Sequence, residues 1–237
     1  MKIMILRQFL KTLTAFAALV IIGTLIGYPS GRAANDNNDS QDEKDMIAQG
    51  LTEAANLGIH LNMTGKDPDL VGLGSYLVNI TSACNICHSP VFIGTSFTAT
   101  GNPYLLAPYF SGRKQADAAY YLGGNQNFGP PPSPGSSALI ISRNLTPDKT
   151  GRPEGHTLAD FMLIMKTGMD LDHLHPNCSN TVTTNCVAPP FNGDLLQVMP
   201  WPFFQSMTDR NLTAIYTFLS AIPCLEGGPG ELPGRCQ

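Results

Sequence analysis

Positive charge is scarce in this chain: 14 Lys and Arg among 237 residues, against 18 Asp and Glu. Four of those cations, Lys2, Arg7, Lys11 and Arg32, fall in the first 33 residues, which carry no acid. The remainder holds ten cations against 18 acids, a balance of −8. Such a surface excludes nucleic acid as a partner and favours one presenting a basic face. Long apolar runs are also few. Only Thr12 to Tyr28 approaches a membrane span, and it follows Lys2, Arg7 and Lys11 and precedes the small residues Gly31 and Ala33. That layout is a secretory signal peptide over residues 1–33, or an anchor if it is retained. Internal repeats are lacking, and tryptophan occurs once, at position 201.

Against this background stands Cys84-Asn85-Ile86-Cys87-His88. Two cysteines three apart can each add a thiol to one vinyl group of a single haem, and the adjoining histidine then lies beneath the iron. A bare C-x-x-C would equally suit a dithiol or half of a zinc site. The histidine and the export signal both favour haem c, one per chain. Cys84, Cys87 and His88 are therefore the candidate cofactor-binding residues.

Three helices are legible. Asp67 and Pro68 open the first as N-cap and first-turn proline, and Leu70, Leu73, Leu77 and Ile80 follow at helical spacing. Gly72 and Gly74 weaken this helix unless another helix comes close. The second runs from Thr157 to Lys166, with Thr157 and Asp160 at capping-box spacing, Leu158, Phe161, Met162 and Met165 as its stripe, and Gly168 as terminator. The third starts at Thr208 or Asp209, carries Leu212, Ile215, Tyr216 and Leu219, and stops before Pro223. Between the first two, residues 89–155 are rich in Gly and Pro. There a short helix is expected over Ala116–Leu122, and an extended or turning stretch from Phe128 to Pro134. Residues 34–66 begin with the acidic run Asn35 to Asp45 and lack a strong core pattern, so they read as a polar arm, tethered or loosely docked. The domain proper is expected over 67–223, followed by a tail at 224–237.

A haem iron needs a sixth ligand or an open position. Met199 lies in Gln197-Val198-Met199-Pro200-Trp201-Pro202, where two prolines stiffen the loop and Trp201 adds an apolar wall. A weak thioether ligand needs such support, and Met199 is the expected distal ligand. Met207 is a second candidate, whereas Met162 and Met165 read as core. His173 and His175 alternate and point the same way if extended, which suits a metal or the distal position; a loop exposed to solvent is the plainer reading. His60 and His156 read as surface or capping residues. Of the other four cysteines, local pairing of Cys178 with Cys186 and of Cys224 with Cys236 suits an exported protein.

Several segments together resemble class I cytochrome c domains, in particular the cytochrome c subunits of bacterial periplasmic alcohol and sugar dehydrogenases. They are Gly74-Ser75-Tyr76-Leu77 before the cysteine motif, Arg143-Asn144-Leu145-Thr146-Pro147-Asp148 with Thr150-Gly151, Phe161 with Thr167-Gly168, Met199-Pro200-Trp201, and Thr208 to Tyr216. The resemblance covers roughly residues 70–223. It implies an all-α class I cytochrome c fold around one covalent haem with long Gly/Pro-rich loops, His88 and Met199 as axial iron ligands, and periplasmic electron transfer. Dehydrogenase subunits of this kind often carry three haem domains, and this chain has one motif. The expected function is single-electron transfer between redox protein partners, by a protein that is not itself an enzyme. The alternatives are a haem enzyme with a labile distal ligand, working on peroxide or sulfur compounds, and a subunit of a multi-haem conducting assembly.

Overall fold

A computed structural model describes residues 36–89, 120–128, 140–172, 194–196, 198–226 and 234–237. The chain divides into two units, Met1–Asp42 and Glu43–Gln237. Of the first, only residues 36–42 are described, and they are helical. The signal segment 1–33, His173, His175, Cys178, Cys186 and most of the two expected elements at 116–122 and 128–134 lie outside the described residues. The described part is helix-rich and contains no sheet; strand-like pairing is limited to isolated bridges such as Asn127–Ile141 and Met169–Leu195. No helix among the described residues is long and apolar enough to cross a membrane.

The helices are α1 (Asp36–Asn56), α2 (Pro68–Tyr76), α3 (Cys84–His88), α4 (Leu158–Thr167) and α5 (Asp209–Leu219). Each of α2, α4 and α5 starts where its capping chemistry allows. Asp67 accepts from the Asp69 amide at 2.9 Å, Thr157 and Asp160 form a reciprocal capping box, and Thr208 accepts from the Asn211 amide at 3.1 Å. Gly168 ends α4 at φ +71°, in the left-handed region that glycine enters without strain.

Helix α2 packs chiefly on α5, and its two glycines explain how closely. A Cβ on Gly74 would collide with the Ala214 carbonyl of α5. A Cβ on Gly72 would lie 2.7 Å from the Ile47 carbonyl oxygen of α1, and one on Gly50 would collide with the Gly72 carbonyl. Two glycines in α2 therefore admit two neighbouring backbones, and the helix penalty is offset by packing.

The expected apolar stripe of α2 departs from the observed one at its end. Beyond Tyr76 the helix widens into a π turn, Leu77–Thr81, marked by an i→i+5 bond from the Ser82 amide to the Leu77 carbonyl at 2.8 Å. The wider turn rotates the following side chains. Val71 and Val78 are fully buried, while Ile80 is 41 % exposed.

The arm expected over 34–66 needs a larger correction. From Glu43 onward it belongs to the same compact unit as the rest of the chain. Ala54, Leu57 and Ile59 are buried in the core, the Asn62 amide donates to the Ala221 carbonyl at 2.7 Å, and Glu43 pairs with Arg210. The acidic run draws attention away from Met46, Ile47, Leu51 and Ala54, which put an apolar face of α1 on the core, while Gly50 lets the α1 backbone come close to Gly72.

Candidate cofactor site

Ala83 adopts φ +48° and turns the chain sharply between the π turn and α3. For a non-glycine residue that conformation costs roughly 1–2 kcal/mol, so the surroundings must hold it. A buried polar chain does so. Asn85 Nδ2 donates to Asn79 Oδ1 at 3.1 Å, Tyr121 donates to the same oxygen at 2.5 Å, Asn79 Nδ2 donates to Ser75 Oγ, and Ser75 donates to the Gly50 carbonyl at 2.6 Å. The short turn carrying the cysteines is thereby tied to both α2 and α1.

Cys84, Cys87 and His88 share that one turn, and neither cysteine is in a disulfide. Burial pushes the Cys84 thiol up to about 12, and the Cys87 thiol is raised for the same reason. Neutral thiols of this kind are poor nucleophiles for disulfide exchange, which relies on a depressed thiol pKa.

His88 Nδ1 lies 2.8 Å from the Arg143 carbonyl oxygen. A carbonyl only accepts, so Nδ1 carries the proton and donates, leaving the lone pair on Nε2. Burial depresses the His88 pKa, with the bond to Arg143 acting in the opposite direction, and the ring is neutral near pH 7. An imidazole held in one tautomer by a carbonyl, with its other nitrogen unprotonated, is prepared to ligate a metal.

Residues 122–126 and 142–145 complete a cradle around His88. The Gly124 amide donates to the His88 carbonyl at 2.7 Å, Asn125 N to the Ser142 carbonyl at 2.7 Å, and Leu145 N to the Leu122 carbonyl at 2.9 Å. Gly124 is required here: it has φ +68°, and a Cβ would run into the Arg143–Asn144 backbone.

The Arg143 side chain leads away into a cluster of acids. Its guanidinium is 3.4 Å from Glu154, 3.0 Å from Asp172, and bonded to Asp170. His156 Nε2 stands 3.4 Å from Asp172 Oδ2, an ion pair longer than a good hydrogen bond. The Asp172 carboxylate raises the His156 pKa, and His156 in turn lowers that of Asp172. Burial raises Glu154 even though Arg143 pulls it the other way. Glu154, His156 and Asp172 bring their ligand atoms within 4.8 Å of one another, but Arg143 already supplies positive charge to two of the three. These contacts were hidden from sequence reading. His156 was expected to be surface or capping, and no spacing rule links position 143 with 154, 170 and 172.

Met199 is partly buried against the core cluster that also receives Cys84 and Met207. Its loop is anchored at the end of α4. The Leu196 amide donates to the Gly168 carbonyl at 2.7 Å, and the Trp201 indole lies against Gly168 so closely that a Cβ there would overlap the ring. Gly168 thus ends a helix and seats the only tryptophan. Cys224 and Cys236 form a disulfide with Cα atoms 5.7 Å apart, as local pairing implied.

No protein-family model matches the chain, and no curated protein or solved structure matches it.

Proposed function

We propose that this protein is a periplasmic monohaem c-type cytochrome of the class I fold, passing single electrons between redox protein partners. The observation that carries the reading is the arrangement of Cys84, Cys87 and His88 on one turn, with the Nε2 lone pair of His88 freed by the bond from Nδ1 to the Arg143 carbonyl. The donor set suits haem better than a dithiol role, since burial keeps Cys84 protonated. Cys84 and Cys87 would hold the haem through thioether bonds, and His88 and Met199 would hold its iron. When bound, the haem supplies a one-electron Fe(II)/Fe(III) couple. The chain's own residues fix the rest: Arg143 orients His88, Trp201 and Gly168 fix the Met199 loop, and the apolar core behind Cys84 excludes water. An opening helix before the motif, packed through glycine on the closing helix, suits the proposed fold. The acidic balance favours partners with a basic face, and membrane association follows only if residues 1–33 are retained.

The test is export in a host competent for cytochrome c maturation, followed by haem staining after denaturation. One haem per chain should stay covalently bound, and a Cys84→Ala/Cys87→Ala variant should hold none. Covalent haem in the double variant, or none in the parent, would reject the assignment.

A further inference from the structure

The C-terminal disulfide segment has no place in the function proposed above, yet its two ends converge on one short stretch of chain. Next to Cys224, the Leu225 amide donates to Thr146 Oγ1 at 3.0 Å, and Asn144 Nδ2 donates to the Leu225 carbonyl at 2.9 Å. Next to Cys236, the Arg235 guanidinium donates to the Thr146 carbonyl at 2.5 Å and to the Asn144 carbonyl at 3.2 Å. The Lys149 amide donates to the Arg235 carbonyl at 2.8 Å. Glu226 accepts from the Arg235 amide at 3.0 Å and from the Cys236 amide at 3.3 Å, holding the two ends of the segment together. Asn144 and Thr146 are buried, at 1 % and 0 % exposure, so these bonds are made away from water.

The residue before Asn144 is Arg143, whose carbonyl receives the His88 Nδ1 proton. We infer that Arg235, locked by the Cys224–Cys236 disulfide, is a positioning residue for His88: it clamps the 144–146 backbone and so sets the strength of the bond from His88 to Arg143. Arg235 Nη2 donates to both carbonyls, two residues apart, and so restrains the direction of the chain between them. The Arg143 side chain is fixed independently by Glu154, Asp170 and Asp172, so both sides of the accepting carbonyl are restrained. A short, well-aligned Nδ1–H···O bond makes the imidazole more basic and favours Fe(III). A tail residue 147 positions from His88 in sequence, and outside the cofactor motif, thereby tunes the proximal ligand.

The sign of the effect separates this role from simple charge. Removing a cation from near the iron favours Fe(III) and lowers the reduction potential. Releasing the clamp weakens the His88 bond and raises it. The inference rests on the haem reading, and the experiment keeps the two distinguishable. The exported parent is first shown to hold covalent haem, and reduction potentials are then measured for the parent, Arg235→Ala, Cys224→Ser/Cys236→Ser and Arg235→Lys.

Both of the first two variants should shift positive, with faster solvent exchange of the His88 ring proton by NMR. Arg235→Lys, whose ammonium can still donate to these carbonyls but sits on a shorter, more flexible stem without the planar fork, should fall between Arg235→Ala and the parent. Arg210→Ala, which removes a surface cation paired with Glu43, should leave the potential where it is. If Arg235→Ala does not mature, the disulfide variant decides the matter by the same readouts. Unchanged or negative shifts overturn the clamp while leaving the cytochrome reading intact; a parent without haem overturns both.

Discussion

Met199 and Met207 lie eight residues apart, and both pack partly buried on the core cluster that receives Cys84. What separates them is support. The Met199 carbonyl accepts from the Trp201 amide at 2.8 Å, and Trp201 is seated on Gly168. If Met199 holds a haem iron as proposed, Met199→Ala should remove the weak long-wavelength absorption of an iron–thioether bond and open the iron to carbon monoxide, whereas Met207→Ala should do neither. Met199→His should keep the iron low-spin at a lower potential, because imidazole favours Fe(III). Loss of the band in Met207→Ala would transfer the ligand role to Met207.

His156 yields a pH prediction. Its pKa is raised, first by Asp172, so its ion pair stabilises the fold fully below about pH 6.5, and that contribution is lost as pH rises through the raised value. Asp172 is partly exposed, which limits the contribution to ~1 kcal/mol or less. Thermal melts of the parent should lose stability on going from about pH 6.5 to 8, and His156→Gln should show less of that loss. The depressed His88 pKa acts in the opposite sense, adding stability as pH rises, and mainly below this window. Identical slopes in the two proteins would rule out the ion pair as a stabilising contact.

Among the elements, the contact of α2 with its neighbours depends on absent side chains. Gly74→Ala would add a methyl group against the Ala214 carbonyl, and backbone there cannot move aside as a flexible side chain can. The alanine gains up to ~1 kcal/mol of helix propensity, but overpacking costs about 1–3 kcal/mol, so net destabilisation is expected in chemical denaturation. Gly50→Ala should act likewise from the α1 side. Leu212→Ala, at the end of the first turn of α5 and 0 % exposed, should cost about 2–5 kcal/mol through the cavity it leaves. Melting of Gly74→Ala at or above the parent's temperature would mean α2 and α5 pack less closely than described.

At the scale of the whole molecule, the disulfide holds the last described residues, 234–237, near the 144–149 segment. Its cysteines are 12 residues apart, and closing a loop of that size stabilises by about 3 kcal/mol on the chain-entropy estimate. Reduction under native conditions should lower the unfolding midpoint by a corresponding amount, read by circular dichroism with and without reductant. A midpoint indifferent to reductant would show that the tail adds nothing to global stability.

Local chemistry was legible directly. Asp67 and Thr157 were recognisable as caps because capping depends on residues within three positions, and Gly168 as a terminator because a left-handed C-cap favours glycine; the last helix was narrowed to Thr208 or Asp209, and the structure makes Thr208 the cap. The cysteine motif was legible for the same reason: Cys84, Cys87 and His88 lie within five residues, and a helical turn brings them together.

The tertiary structure decided what depends on distant partners. It made 43–63 part of the core, turned Ile80 outward through a π turn, gave Gly72 and Gly74 their neighbours, and placed the Arg143 carbonyl on His88. Sequence periodicity reports which side chains are apolar. It says nothing about where one backbone touches another, and at Gly72, Gly74 and the Arg143 carbonyl it is backbone, carbonyl or bare Cα, that makes the contact.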